Sequence, residues 1–157
     1  MTRELTFKCN HLGIIDDLGH VRLGYTTVAS EQLNDFVRDG ELNSITTHHI
    51  GHQLGIGTLW AKRGFVTSNF KYSGVQGNVQ SQVVGGPVPA VVEDQGGSLG
   101  RGKHWEEDTY GTELMTAFQH HLPYNQLSRM SLGALTDRKY LACLSYLAFG
   151  VTDIICS

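Results

Sequence analysis

The stretch HHIGHQLGIGTLW, from His48 to Trp60, contains two histidines four residues apart, followed by closely spaced glycines. Side chains at positions i and i+4 lie on one face of a helix, so His48 and His52 can bind a single metal ion together. Gly55 and Gly57 predict the end of this helix, because glycine favours the left-handed conformation at helix C-termini. A helix is expected from about residue 43 or 44 to residue 54. A half-buried polar helix face without a metal is the alternative interpretation.

Two strands and a helix are predicted before this stretch. Residues 2–8 alternate loosely between apolar and polar side chains, and residues 20–28 show a clearer strand pattern rich in valine and threonine. Ser30 is a suitable helix N-cap, and an apolar pattern through Phe36 and Val37 continues until Asp39 and Gly40. A first helix is therefore expected between Ser30 and Asp39.

After Trp60 the sequence becomes irregular. Glycines, together with Pro87 and Pro89, mark turns and long loops from residue 61 to residue 102. A compact domain seldom contains so long an irregular stretch unless it has a function or an internal anchor. A helix is predicted again over residues 128–138, and the apolar residues 140–156 are expected to form a terminal strand or a packed helix.

The composition excludes several classes of protein. The chain has 157 residues, the size of one domain, including 19 glycines, and its net charge of −3 gives no whole-domain attraction for nucleic acid or an anionic membrane. No apolar run reaches the roughly 18–20 residues that span a bilayer. The first eight residues lack the apolar stretch of a signal peptide, which leaves the compartment open between the cytoplasm and a virus particle.

The three cysteines, Cys9, Cys143 and Cys156, have no short paired spacing, so the CxxC pattern of redox and zinc sites is missing. Free, buried thiols are expected because nothing in the sequence marks the chain as secreted. A single disulfide that leaves one odd thiol is the alternative.

The stretch from His48 to Trp60 resembles the zinc helix of leishmanolysin-like metallopeptidases, a family of the metzincin group with the pattern HExGHxLGIGTLW. Three later segments resemble the same family in the same order. Residues 96–107, GGSLGRGKHWEE, resemble its glycine-rich segment ending in SHWxE. Residues 111–118, GTELMTAF, resemble its GxELMTGF, and residues 127–137, LSRMSLGALTD, resemble its LSRxTxxxLxD helix. The resemblance covers about residues 24–140.

This resemblance implies a zincin-like α+β fold with a small twisted sheet, a zinc-binding helix, a C-terminal helix and long glycine-rich loops. A single domain over residues 1–157 is expected. Its N-terminal part, residues 1–55, would contain the strands and the zinc helix. Its C-terminal part, residues 56–157, would contain the third zinc ligand, the methionine turn and the C-terminal helix.

The resemblance also implies a metal centre. His48, His52 and His104 would bind Zn²⁺ through neutral imidazoles and leave the fourth position of a tetrahedral site for water. Met115 would form an apolar floor beneath the ligands, as the methionine turn does in the family. The irregular stretch from residue 61 to residue 102 would then be the excursion between the second and third ligands.

The chain departs from the family at the residue after the first ligand, which is His49 where the family has its general-base glutamate. Loss of a positioned acid–base group typically lowers the rate about 10²–10⁴-fold. His49 could itself act as the base, because imidazole has a pKa near 6.5. A nearby dication disfavours its protonated form, and a ring reaches differently from a carboxylate.

Further departures and neighbouring residues complete the site prediction. Gln126 and Lys139 replace a proline and a glycine of the family, and Lys139 would cost about 1 kcal/mol if it must be left-handed. Glu107 or Glu106 would accept a hydrogen bond from the ring nitrogen of a ligand imidazole that does not bind the metal. The alternative is that the two glutamates form a solvated acidic pair beside Lys103. The pair at residues 120–121, both histidines, is interpreted as solvated rather than ligating.

These expectations favour a leishmanolysin-like homologue that retains zinc but is inactive or weakly active, and that functions as a structural or binding protein. A protein partner is expected, with the chain an oligomer or a subunit of a larger assembly such as a virion, because few residues precede the zinc helix. The alternative is an active zinc endopeptidase that acts on peptides and uses His49 or another group as base. A third interpretation has no metal and treats the histidines as packing residues.

Overall fold

A computed structural model describes residues 8–10, 14–17, 20–27, 30–117, 125–139, 143–145 and 154–156, and this part of the chain is mostly helical. Its helices are α1 (Ser30–Arg38), α2 (Leu42–Gln53), α3 (Trp60–Arg63), α4 (Val75–Val83), α5 (Gly97–Gly100), α6 (Glu107–Tyr110) and α7 (Arg129–Asp137). Its strands are β1 (Lys8–Asn10), β2 (Tyr25–Thr27), β3 (Cys143–Ser145) and β4 (Ile154–Cys156).

The strands form two separate antiparallel pairs, β1 with β2 and β3 with β4. The described residues do not form the single small twisted sheet expected of a zincin-like α+β fold, so the metzincin architecture is not established. The strand predicted over residues 20–28 is reduced to β2, with Val21 in an isolated bridge to Ile15. Of the strand predicted over residues 2–8, the structure describes Lys8 alone, which belongs to β1.

Three helices agree with the sequence predictions. Helix α1 begins at Ser30 and ends before Gly40, which has the left-handed φ of +74° expected of a stop signal. Helix α2 ends at Gln53 and α7 at Asp137, each one residue before the predicted end. The N-cap of α7 is Ser128, whose hydroxyl accepts a hydrogen bond from the Ser131 amide. Local signals therefore placed these helices correctly.

Helix α4 lies within the stretch predicted to be irregular, and that prediction is wrong there. The helix buries Gly77, Gln80 and Ser81 and exposes the valines at its other positions. This pattern is the reverse of an ordinary amphipathic helix, which is why the sequence did not reveal it. The buried face suits close packing on α7, since a Cβ atom added to Gly133 would lie 2.7 Å from the Gln76 carbonyl oxygen.

Asp137, at the end of α7, satisfies the N-terminus of α4. Its carboxylate accepts hydrogen bonds from the amides of Gln76 and Gly77, each at 2.8 Å, and from the Tyr72 hydroxyl at 3.2 Å. The residue preceding α4, Gly74, has no side chain for this role. A carboxylate from a distant helix therefore caps α4 and also interacts favourably with its dipole.

Aromatic rings form the centre of the core. The Trp60 ring centroid lies 4.5 Å from that of Trp105 and 5.0 Å from that of Tyr72, and the Tyr72 and Trp105 centroids are 5.1 Å apart. All three side chains are fully buried. They are surrounded by smaller buried apolar residues, namely Ile56, Ala90, Val92, Leu114, Met115, Met130, Ala134 and Leu135.

The tail predicted over residues 140–156 is described only at β3 and β4, so the expected packing of its thiols lies outside the described side chains.

Within the described ranges, no helix has both the length and the apolar character needed to cross a membrane.

Lys139 has φ of +62°, so the left-handed conformation considered from the sequence is present. We expect Lys139→Gly to raise the free energy of unfolding by about 0.5–1 kcal/mol, because glycine adopts this conformation without the steric cost of a Cβ atom. Chemical denaturation measures this change. Lys139→Ala is the control, since alanine removes the charge but retains the strain; an equal gain in that variant would contradict the explanation.

Candidate metal centre

Helix α2 places two imidazoles side by side. His48 and His52 are one turn apart on its buried face, and their ring centroids are 4.5 Å apart. Both side chains are almost fully buried, although most of α2 is not strongly apolar. The i, i+4 spacing that was identified in the sequence therefore places both rings in the interior.

The third histidine, His104, lies on a segment of chain that is hydrogen-bonded to two neighbouring segments. The His104 carbonyl accepts a hydrogen bond from the Glu93 amide, and the Trp105 amide donates to the Met115 carbonyl. These bonds fix the segment around His104 between two neighbouring segments of chain. The His104 ring centroid lies 4.7 Å from that of His52 and 5.2 Å from that of His48. The structure thus brings together the three histidines predicted as ligands.

A backbone carbonyl faces the Nδ1 atom of each imidazole. His48 Nδ1 lies 2.6 Å from the Leu114 carbonyl oxygen, and His52 Nδ1 lies 2.9 Å from that of Ile56. His104 Nδ1 lies 3.1 Å from the Gly100 carbonyl oxygen. A carbonyl can only accept a hydrogen bond, so each Nδ1 must carry the proton. In a neutral imidazole the Nε2 atom is then an unprotonated acceptor.

The donor atoms fit a metal ion. One nitrogen from each ring lies within 4.8 Å of the others, and His52 Nε2 and His104 Nε2 are 2.9 Å apart. With both Nδ1 atoms protonated, this short contact joins two lone pairs, an arrangement that a cation between them satisfies. Tetrahedral zinc with bonds of about 2.0–2.1 Å would separate two ligand nitrogens by about 3.3 Å, close to this distance. The three residues could therefore hold a metal ion after a small adjustment.

The electrostatic environment keeps the rings uncharged. Burial lowers the pKa of all three imidazoles, that of His52 strongly and that of His104 to about 3. The positive charge that His48 would carry lowers the pKa of its two neighbours further. The rings are therefore neutral at pH 7, the form in which imidazole binds metals.

Two glycines allow the chain after α2 to fold back toward His104. Gly57 has φ of +73°, and a Cβ atom there would lie 1.7 Å from the Lys103 carbonyl oxygen. Gly55 has φ of +97°, and a Cβ atom there would overlap the Arg138 guanidinium. Arg138 is itself buried and donates from Nη1 to the Leu54 carbonyl oxygen at 2.9 Å. These contacts connect the end of α2 to both α7 and the residue before His104.

Met115 lies directly against α2. A Cβ atom added to Gly51 would be 2.6 Å from Met115 Sδ, so a larger residue there would require the methionine side chain to shift. Met115 is fully buried, and its neighbour Leu114 supplies the carbonyl that faces His48. The methionine thus packs against the helix between the two ligand histidines, while its role as a floor beneath a metal stays a prediction.

A buried carboxylate holds the segment around Met115. Glu113 accepts hydrogen bonds from the Met115 amide, from the amide and hydroxyl of Ser128, and from the Ser131 hydroxyl at 2.6 Å. The Ser131 hydroxyl in turn accepts from Trp105 Nε1 at 2.9 Å. Burial raises the pKa of Glu113, while these hydrogen bonds act in the opposite direction. Glu113 therefore joins the Met115 segment, the start of α7 and the residue after His104.

The remaining predicted site residues have different positions. The His49 ring is half-buried, with its centroid 5.4 Å from that of His48 and 6.3 Å from that of His52. Glu106 caps α6, where its carboxylate accepts hydrogen bonds from the amides of Asp108 and Thr109. The Nδ1 atoms of the three candidate ligands face backbone carbonyls instead. The role of Glu107 behind an imidazole stays a prediction. The histidines at positions 120 and 121 lie outside the described residues.

Sequence reasoning did not assign a role to Glu113 or Arg138. A glutamate directly before an apolar pair and an arginine at a helix end are ordinary surface patterns, so no local signal distinguishes them. The carbonyls of Ile56, Leu114 and Gly100 also leave no mark in the sequence, because every residue has one. No known family model, curated protein or solved structure matches this chain.

We expect Gly57→Ala to weaken metal binding by about 10–100-fold, because the new methyl group must displace the Lys103 carbonyl and with it His104. Competition against a chromophoric chelator measures the affinity. Gly64→Ala is the matched control, since Gly64 has the same left-handed φ of +74° but no atom within 4 Å of an added Cβ. Equal losses in both variants would show that backbone strain alone is responsible.

We expect Glu113→Gln to lower the free energy of unfolding by about 1–3 kcal/mol, because the amide presents a donor to groups that are themselves donors. Urea denaturation of the metal-free protein at pH 7 measures the loss. Glu106→Gln is the control: it makes the same substitution at an exposed helix cap, where the loss should stay below about 1 kcal/mol. A neutral effect at Glu113 would contradict its role in holding the Met115 segment.

Proposed function

We propose that the chain is a single zincin-like domain, related to leishmanolysin-like peptidases, that binds one zinc ion through His48, His52 and His104. The observation that supports this most directly is the carbonyl partner of every Nδ1 atom, which leaves three Nε2 acceptors close together. Three imidazoles are a common zinc ligand set. A bound zinc ion would act as a Lewis acid at its remaining coordination position. Met115, packed against Gly51, would be the floor of the site.

We infer that zinc is mainly structural in this protein. His49 stands where the family has its general base, and the groups that face the three Nδ1 atoms are backbone carbonyls. A metal that joins α2 to His104 closes a loop of about fifty residues and would add its binding free energy to folding. The protein would then work by binding another protein, as an oligomer or as a subunit of a larger assembly such as a virion.

We expect freshly purified protein to contain about one zinc per chain by elemental analysis, and His104→Ala to contain much less. Chelation should lower the thermal midpoint, because a ligand at a thousand times its Kd stabilises the folded state by about 4 kcal/mol. His20→Ala is the control, since it removes a histidine that pairs with Asp16 and does not belong to the three-His group. No zinc after reconstitution at neutral pH, with stability insensitive to chelator, would favour the histidines as packing residues.

A zinc endopeptidase is the second candidate, and the position of His49 beside His48 and His52 favours it. In this case, His49 would accept the proton of the attacking water. Zinc-loaded protein should then cleave an unfolded substrate in a chelator-sensitive manner, and His49→Glu should increase the rate by about 10²–10⁴-fold. His49→Gln controls for the loss of the imidazole. Absence of cleavage at high enzyme concentration, with zinc bound, would exclude the peptidase and support the structural role.

A further inference from the structure

A cleft of about 600 Å³ lies beside the candidate metal centre, and we call it the basic cleft. Its lining includes Gly57 and Thr58, a few residues after the end of α2, and Lys103, the residue before His104. Its apolar lining includes Ala61, Val66 and Phe70. This volume falls within the range of about 300–1,000 Å³ that is typical of ligand sites.

The charged side chains that line the basic cleft are all positive. Arg101 and Lys103 line it, and no acidic side chain does so among the described residues. The part of the chain that the structure describes also has no ion pair between a carboxylate and either of these cations. The protein as a whole has a net charge of −3, so this local excess of positive charge is not a property of the average surface.

Both cations are held in place and retain hydrogen-bond donors. The Arg101 guanidinium lies over the Phe70 ring, 4.6 Å from its centroid, which leaves the edge of the guanidinium available. Lys103 Nζ donates to the Ser98 carbonyl oxygen at 2.6 Å and has two further protons to donate. Phe70 has φ of +55°, a rare conformation for an aromatic residue, so the surrounding chain must hold this position against strain.

The basic cleft shares one lining residue with a second, smaller pocket that borders the candidate metal centre. Thr58 lines both, and the second pocket, of about 170 Å³, also contacts His52 and Lys62. Lys62 gives this second pocket a cation of its own, again with no acidic residue in the described lining.

We propose that the basic cleft binds an acidic peptide segment of a protein partner, with its carboxylates on Arg101 and Lys103 and its apolar side chains against Phe70 and Val66. Glycines at positions 57, 97 and 102 leave part of the lining without side chains, so a bound peptide can approach the backbone closely. The inference rests on the proposed binding function, but the basic cleft is built from residues other than the metal ligands.

The test uses the full chain, zinc-loaded and chelated, and two fluorescein-labelled hexapeptides, EFELEF and its amide counterpart QFQLQF. Fluorescence anisotropy should show at least ten-fold tighter binding of EFELEF, and 0.5 M salt should weaken it. Arg101→Gln combined with Lys103→Gln should weaken it about ten-fold. Arg63→Gln combined with Lys71→Gln is the control, because it removes the same charge outside the cleft lining and should leave the affinity unchanged.

Equal affinity for the two peptides, or equal losses in the two double variants, would overturn the proposal. Tighter binding of a single-stranded oligonucleotide than of EFELEF would also overturn it, in favour of a different class of partner. Acidic-peptide binding by a chain that never takes up zinc would support the basic cleft and contradict the metal proposal. Zinc binding without any preference for EFELEF would do the reverse, so the two failures are distinguishable.

Discussion

The structure depends on one constraint, the convergence of three buried imidazoles whose Nδ1 atoms all face backbone carbonyls. These contacts fix the tautomer of each ring and direct the unprotonated nitrogens of His52 and His104 to within 2.9 Å of each other. Such a contact is unfavourable without a cation, since neither nitrogen has a proton to share. The three imidazoles could therefore hold a metal ion, and the groups that orient them are backbone carbonyls rather than ligands.

The three carbonyls come from separate parts of the chain, which explains why the surrounding packing is so specific. The Ile56 carbonyl can face His52 because the chain turns back after α2, with Gly55 and Gly57 in left-handed conformations. The Leu114 carbonyl can face His48 because Glu113 holds the neighbouring Met115 amide. An error in either segment would misplace an imidazole that lies elsewhere in the sequence.

Helix α7 connects these segments to the rest of the core. At its start, Ser128 and Ser131 donate to the Glu113 carboxylate, and at its end Asp137 caps α4. Arg138, the next residue, donates to the Leu54 carbonyl at the end of α2. Most of these contacts are at least partly buried, so the loss of one partner leaves the other poorly satisfied. The polar network around α7 therefore helps to hold the segments that form the candidate metal centre.

The sequence by itself determined the candidate ligands and the helix that carries two of them, because the i, i+4 spacing of His48 and His52 and the glycines that follow are local signals. It also indicated His104, through a resemblance of motifs in the same order. Only the tertiary structure decided the α4 helix, whose buried face is glycine and polar residues, and the roles of Glu113 and Arg138. These features depend on contacts between residues far apart in the chain, and the carbonyl groups that orient the imidazoles are the same in every amino acid.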